Sequence, residues 1–290
     1  MLKYRLIFGT LMVLFFTGVI IFDGCVDGSL TSSQAINKNV QGTIFYIIIA
    51  LLVVPAQLEF SALAAGKNLK IFKPVSIIAT MLLAGCWYWP QVVAISGGVY
   101  LAVLLAFTLF AMFFYQHLRY GNENVIGNCG VNCFSVLYLG LLSGFVLAIR
   151  VDFGVWALLM FIATIKTSDI GAYTFGRIFG KHKFSPRISP GKTWEGMAGA
   201  VASAMIVAVL FAVCCDAIDV SWYAAVALGV VMAFVGQLGD LAESMLKRDA
   251  EKKDSAQSVP GFGGVLDVID SPLVAAPVAY LFFKWVAMSS

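Results

Sequence analysis

Residues 194–213, WEGMAGAVASAMIVAVLFAV, carry one charge, Glu195, at the second position, and everything after it is apolar or small. A helix of about 20 residues, rising about 1.5 Å per residue, spans a hydrocarbon core about 30 Å thick. A helix that is apolar on all sides has no face to present to water, so this run reads as a transmembrane span. Working outward, eight further stretches have the same character: 6–22, 43–65, 75–89, 92–116, 131–149, 153–175, 222–240 and 264–286. The third is short and could fuse with the fourth as a hairpin through Pro90. The first follows Lys3 and Arg5 like a signal peptide, but no A-x-A site follows it, and it is read as a retained span.

Composition agrees. The chain of 290 residues is 60% hydrophobic and 12% charged, against about 45–50% and about 25% in soluble domains. Its mean hydropathy is +0.90. Disorder, nucleic-acid binding through a charged face and a small disulfide scaffold are excluded. The expected fold is all-α, a polytopic integral membrane protein of about nine transmembrane helices. About five lie in an N-terminal region, 1–150, and about four in a C-terminal catalytic region, 151–290. The six cysteines read as unpaired thiols: Cys129 and Cys133 lack the further His or Cys a zinc site needs.

Orientation follows from Lys and Arg, which favour the cytoplasmic side. With a cytoplasmic N-terminus, 15 of the 19 basic residues fall on that side, and only Lys38, Arg150 and Lys284 fall outside. Lys166 lies within the sixth span.

A charge at the bilayer centre costs about 2.5–3.5 kcal/mol on insertion scales, so each one needs a reason. Glu59 and Lys166 read as snorkelling or inter-helix partners. Asp169, Glu195, Asp240, Glu243, Asp267 and Asp270 fall instead at the cytoplasmic ends of the last four spans. Asp240, Glu243, Ser244 and Lys247 follow an i, i+3, i+4, i+7 pattern, one face of a helix, and Asp267 and Asp270 share another. Carboxylates facing each other in a low-dielectric wall repel unless a cation or proton lies between them. Oxygen-only ligands of this kind suit Mg²⁺, with substrate phosphates completing its shell.

The connections on the same side are basic and glycine-rich. One runs from Gly176-Arg177 to Lys192-Thr193; the other holds Lys247-Arg248 and Lys252-Lys253-Asp254-Ser255 and ends in PGFGG at 260–264. Flexible glycine backbone can bring N–H groups close to an anion. Carboxylates for a metal beside cations for phosphates describe a nucleotide or pyrophosphate site at a membrane surface. The PGKT of 190–193 imitates the end of a P-loop, but the first glycine of that motif would stand where Pro186 is, and no strand precedes it.

Two blocks resemble the phosphatidate cytidylyltransferase (CDP-diacylglycerol synthase) family. GDLAESMLKR at 239–248, KDS at 253–255 and PGFGGVLDVIDS at 260–271 are similar to that family's S-x-x-K-R, K-D-S, P-G-H-G-G and D-R-x-D-S. Asp169, Ala172-Tyr173 and SPGKTWEG at 189–196 are similar to its Asp before Ala-Tyr and its S-P-x-K-T-x-E-G. The resemblance covers roughly 165–275. It implies a membrane enzyme that joins CTP and phosphatidate to give CDP-diacylglycerol and pyrophosphate. It further implies Mg²⁺ on Asp240, Asp267 and Asp270, with a second, monovalent cation left open. Lys247 would join those acids in catalysis. Asp169, Arg177, Lys192, Thr193, Glu195, Glu243, Ser244, Arg248, Lys253, Asp254, Gly263 and Gly264 would contact substrate. The partners implied are the two substrates and membrane lipids, without nucleic acid, and a homodimer is one assembly left open. The location implied is the cytoplasmic (inner) membrane, with the site facing the cytoplasm.

The chain departs from the family at Phe262, Val268 and Gly191, where the family has His, Arg and Lys. Either Arg177 or Arg187 replaces the lost cations, or the activity is altered or absent. A related lipid-phosphate nucleotidyltransferase or kinase and an ion-coupled transporter are the other readings. A transporter should place its charges near the midplane and show repeats, whereas here the acids gather at one face. The topology is tested in intact cells with single cysteines in a background lacking the six native ones. An impermeant thiol reagent should reach Asp27→Cys and Asp219→Cys but not Lys183→Cys or Lys253→Cys.

Overall fold

The structure, a computed structural model, describes residues 2–30, 40–252, 255–256 and 263–289. It is helical: α1 Leu2–Val26, α2 Thr43–Ala65, α3 Lys73–Ala84, α4 Trp89–Val93, α5 Gly97–Tyr120, α6 Val125–Val136, α7 Leu142–Phe179, α8 Trp194–Cys214, α9 Trp222–Asp249 and α10 Leu266–Ser289. Among the described residues there is no strand, only a bridge between Lys183 and Thr193. Among the described residues, seven stretches are long and apolar enough to cross a membrane. The third expected span is the 12-residue α3, followed by α4, which starts at Trp89 and Pro90. The fifth and sixth expected spans fall in one helical stretch, Val125–Phe179, joined through a π-turn at Leu137–Leu141.

That stretch is divided at Gly154, whose φ of 88° and ψ of −176° lie outside the helical region. The contacts show a reversal there. Up to Gly154, Leu139 shares a cluster with Leu266 and Leu273, Phe145 reaches Tyr280 and Phe153 reaches Phe283 of α10; beyond it, Lys166 donates to the carbonyl of Val268. The second limb of α7 therefore runs back along α10 toward its start.

Small residues let the C-terminal helices approach. A Cβ on Gly171 of α7 would overlap Ser203 and Gly199 of α8, and one on Gly199 would overlap Phe175. In lipid, helix association rests on such close contact because apolar side chains gain nothing by leaving the hydrocarbon. Helices α7, α8, α9 and α10 pack on one another around Leu158, Phe161, Ile165, Leu228, Ala276 and Ala279.

At the end of the bundle opposite the acids, the structure corrects the expectation that Arg150 and Asp27 lie in outer loops. Arg150 is 0% exposed and Asp27 3%. Arg150 Nε lies 2.9 Å from Asp23 Oδ2 and its NH2 2.7 Å from Asp27 Oδ2. Asp23 Oδ1 also accepts from the backbone N–H groups of Ile44 and Phe45, 2.8 and 3.2 Å away. A carboxylate there satisfies orphan donors of α2 and meets the positive end of its dipole. Asp23 of α1, Asp27 just beyond its end, Arg150 of α7 and the start of α2 thus form one knot. Cys25 lies in the last turn of α1, and all six cysteines are free thiols. Asp219 stays exposed and remains the informative position for outside labelling.

At Gly154 an added Cβ would meet nothing within 4 Å, so any cost of a side chain there is purely conformational. Its φ/ψ region is essentially glycine-only. Gly154→Ala should lower stability by about 1–3 kcal/mol, read as a drop in thermal midpoint of the detergent-solubilised protein. An unchanged midpoint would remove the reversal at Gly154.

Candidate active site

Three helices and one loop meet at the acidic end. The second limb of α7 supplies Lys166 and Asp169, the approach to α8 supplies Lys192, and the last turns of α9 supply Asp240, Glu243 and Lys247. The start of α10 supplies Asp267 and Asp270. One carboxylate oxygen each from Asp240, Glu243 and Asp270 lies within 4.8 Å of the others. Asp270 is 5% exposed and Glu243 1%. Asp270 Oδ1 accepts from the N–H of Ser271 at 2.6 Å. Glu243 Oε1 is buried and has no hydrogen-bond partner among the described residues.

Three lysines face these acids. Lys192 Nζ lies 2.7 Å from Asp240 Oδ2 and donates to the carbonyl of Gln237 at 3.0 Å. Lys247 Nζ sits 2.6 Å from both Glu243 Oε2 and Asp267 Oδ1. Lys166 Nζ is 3.5 Å from Asp169 Oδ2 and 2.8 Å from the Val268 carbonyl oxygen. The cation brought to Val268 is therefore Lys166. Arg177 instead donates to the Tyr173 hydroxyl at 3.2 Å, at the exposed end of α7, and Arg187 is exposed in the loop.

Asp267 is not one of the three mutually close acids but lies beside Glu243, with which it shares a side-chain hydrogen bond and Lys247. Beyond Lys247, its Oδ2 accepts from the N–H of Gly264 at 2.7 Å and lies 2.9 Å from Ser255 Oγ. Gly263 has a φ of +106°, and a Cβ on Gly264 would overlap Ser255 and Glu59, so both positions need glycine. Among the other residues singled out from sequence, Thr193 caps α8 by accepting from the N–H of Gly196 at 3.1 Å. Glu195 accepts from the N–H groups of Lys181 and His182 and lies 2.6 Å from His182 Nδ1. These two hold the basic loop closed. Arg248 donates to the Ile188 carbonyl at 3.4 Å across that loop, and Ser244 is half-buried beside Glu243. Lys253, Asp254 and Phe262 lie outside the described residues.

Sequence reading gave Glu59 no place at this site. Its Oε1 and Oε2 accept from the N–H groups of Val265 and Leu266, each at 2.9 Å, so it caps α10 from α2. The available signal was a lone acid inside an otherwise apolar run.

The model of the cytidylyltransferase family matches residues 3–286. The chain belongs to the cytidylyltransferase family. It is 37% identical over 190 residues to a phosphatidate cytidylyltransferase of Chlamydia trachomatis, the match spanning 61% of either chain. It is 40% identical over 136 residues to the phosphatidate cytidylyltransferase of Haemophilus influenzae, covering 46% of this chain and 47% of that one. With the Brucella suis enzyme of the same name it shares 41% over 149 residues, covering 51% and 53%. The chain thus matches less than two thirds of the length of these relatives.

Lys247 separates two acids whose side chains are 1% and 9% exposed. Removing one partner of a buried ion pair typically costs about 3–5 kcal/mol. Lys247→Met should destabilise the protein by that order, with part of the loss recovered by adding Asp267→Asn. Thermal unfolding of the single and double variants checks this, and an additive double variant would separate the two groups.

Proposed function

We propose that the protein transfers a cytidylyl group from CTP to phosphatidate, giving CDP-diacylglycerol and pyrophosphate. Family membership and the names of the three relatives support the reaction class. The observation that carries the site is the Asp240, Glu243 and Asp270 group with its unpartnered Glu243 oxygen. Three close carboxylates, one oxygen unsatisfied, fit a hard divalent cation such as Mg²⁺. When bound, such an ion would supply neutralisation of the triphosphate and of the departing pyrophosphate. Asp267, expected as a ligand, is proposed instead to hold Lys247 in register. A second, monovalent cation and a homodimer rest on the resemblance alone.

In the proposed step, an anionic oxygen of phosphatidate attacks the α-phosphorus of CTP. A new P–O bond forms, the bond to the β-phosphate oxygen breaks, and pyrophosphate leaves with the electron pair. The attacking oxygen is already charged at neutral pH, so the chain need not remove a proton. Its task is to hold two anions in line. Lys192 and Lys247 line the acids and are positioned to take phosphate oxygens as point charges. Arg177, Arg248 and Lys253 are proposed to contact phosphates from the rim. Tyr173 is held beside Arg177, and Thr193, Glu195 and His182 shape the loop that carries Lys192.

The charge split of the loops supports a cytoplasmic N-terminus and a site facing the cytoplasm in the inner membrane. Nine spans remain the proposed count. α3 makes up the short one, and the reversal at Gly154 splits the long stretch in two.

The test is pyrophosphate release by the purified full chain with CTP, phosphatidate and Mg²⁺. Asp240→Asn, Asp267→Asn and Asp270→Asn should each abolish turnover while the protein still inserts. Binding of Mn²⁺, followed by its spin-resonance signal without substrate, should weaken by about tenfold or more in Asp240→Asn, Glu243→Gln and Asp270→Asn. It should stay near normal in Asp267→Asn. Near-normal turnover in two of the three Asp variants would sink the site, and weak Mn²⁺ binding in Asp267→Asn would return that residue to the ligands.

A further inference from the structure

We propose that Glu59, in the N-terminal half of the chain, is a positioning residue for the site: it fixes the start of α10 and so sets Asp267 and Asp270. This inference rests on the reaction proposed above, but its structural half can be read independently.

Glu59 is 6% exposed and lies near the end of α2. A carboxylate buried in the apolar part of a membrane protein is costly and needs compensating donors. Among the described residues, Glu59 has three nearby. Each of its oxygens accepts one N–H, from Val265 and from Leu266, at 2.9 Å. Its Oε2 also lies 3.1 Å from Ser255 Oγ. Leu266 is the first residue of α10, so these are orphan amides of a helix N-terminus, where negative charge is favoured.

The same Ser255 hydroxyl lies 2.9 Å from Asp267 Oδ2. One hydroxyl proton serves one carboxylate at a time, so Ser255 ties Glu59 and Asp267 into a single arrangement. Asp267 in turn orients Lys247, and Asp270 follows it by one helical turn. The path from Glu59 to the acids is therefore two backbone amides and a serine.

Further contacts hold the end of α2 in place. Lys252 Nζ donates to the carbonyl of Ala62 at 2.9 Å. Gly66 lies against Ala250, where a Cβ would come 3.2 Å from the carbonyl oxygen. The exposed pair Lys67–Asp249, at 2.9 Å, adds little because solvent screens it. The end of α2 is thus joined to the end of α9 on one side and the start of α10 on the other. Glu59 is its one charged group among the α10 amides.

The test uses the full chain in detergent with Glu59→Gln, Ser255→Ala, the double variant and Lys67→Ala as control. Glutamine has the same shape but offers one acceptor and an N–H₂ that opposes the amide donors. Since a misplacement of about 1 Å can cost about a hundredfold in rate, Glu59→Gln should lower kcat by about ten- to a hundredfold, with KM for CTP within about threefold. Hydrogen exchange at the amides of Val265 and Leu266 should speed up in Glu59→Gln and stay unchanged in Lys67→Ala. In the double variant, kcat should fall no further than in the worse single variant, because both act along one path. Unaltered kcat in Glu59→Gln, unaltered exchange at 265–266, or fully additive losses would each overturn the proposal. A parent protein without transfer activity would sink the reaction instead, and amide exchange would still decide whether Glu59 holds α10.

Discussion

Lys247 lies 2.6 Å from a carboxylate on its own helix and 2.6 Å from one on the next, and most of the site is arranged around that contact. It joins the last turns of α9 to the first turn of α10, two segments separated in the chain by residues 250–265. Without an ammonium group there, Glu243 and Asp267 would face each other in a wall that screens charge poorly. Because Lys247 occupies Asp267 Oδ1, the other oxygen is left to the Gly264 amide and Ser255. The glycine pair at 263–264 follows from this, since a side chain at either position would overlap the groups that converge on Asp267. Glu59 completes the same end from α2.

The two ends of the bundle solve one problem in the same way. Each has a helix start inside the protein, with backbone donors that no water can satisfy, and each covers it with a carboxylate from a distant helix. Asp23 does this for α2 and Glu59 for α10. The ends differ in charge balance. Asp23 and Asp27 close on a fully buried Arg150 and form a static knot. The acids at the other end outnumber the lysines, and Glu243 keeps an oxygen without a partner among the described residues. An unsatisfied buried group is expensive, and since Arg150 NH1 is one at the first knot too, it is the excess of acids over lysines that sets the second knot apart.

Sequence revealed the apolar spans because a membrane helix writes its length into composition, and it revealed the acids of the site because charge is conspicuous against that background. The i, i+3 spacings of Asp240 with Glu243 and of Asp267 with Asp270 gave their shared faces. What it could not reveal was pairing across the chain. Arg150 reads as a loop cation because its partners lie at and just beyond the end of α1, more than a hundred residues earlier. Glu59 reads as isolated because its donors are backbone amides, which have no letter in the sequence. Lys166 reads as a helix partner, and only the fold shows it at the Val268 carbonyl. The separation of Asp267 from Asp240 and Asp270 was equally hidden: helix periodicity says which acids share a face, not which lysine reaches each one first.

The charge balance also bears on how two anionic substrates could enter such a place. Six carboxylates converge there: Glu59, Asp169, Asp240, Glu243, Asp267 and Asp270. Against them, among the described residues, stand Lys166, Lys192 and Lys247, fewer cations than acids. A bare phosphate approaching that excess is repelled. Around the rim, Arg177, Lys181, Lys183, Arg187 and Arg248 are exposed, and solvent screens exposed charges within about 8 Å at physiological ionic strength. Rim cations can gather anions at the surface but do not cancel a buried excess further in. Under the proposed reaction, therefore, a triphosphate accompanied by a divalent cation meets a favourable field where an unaccompanied one does not. The sign of the interior selects the metal complex of the nucleotide, while the lysines, each already shared with a carboxylate, are left to orient its oxygens.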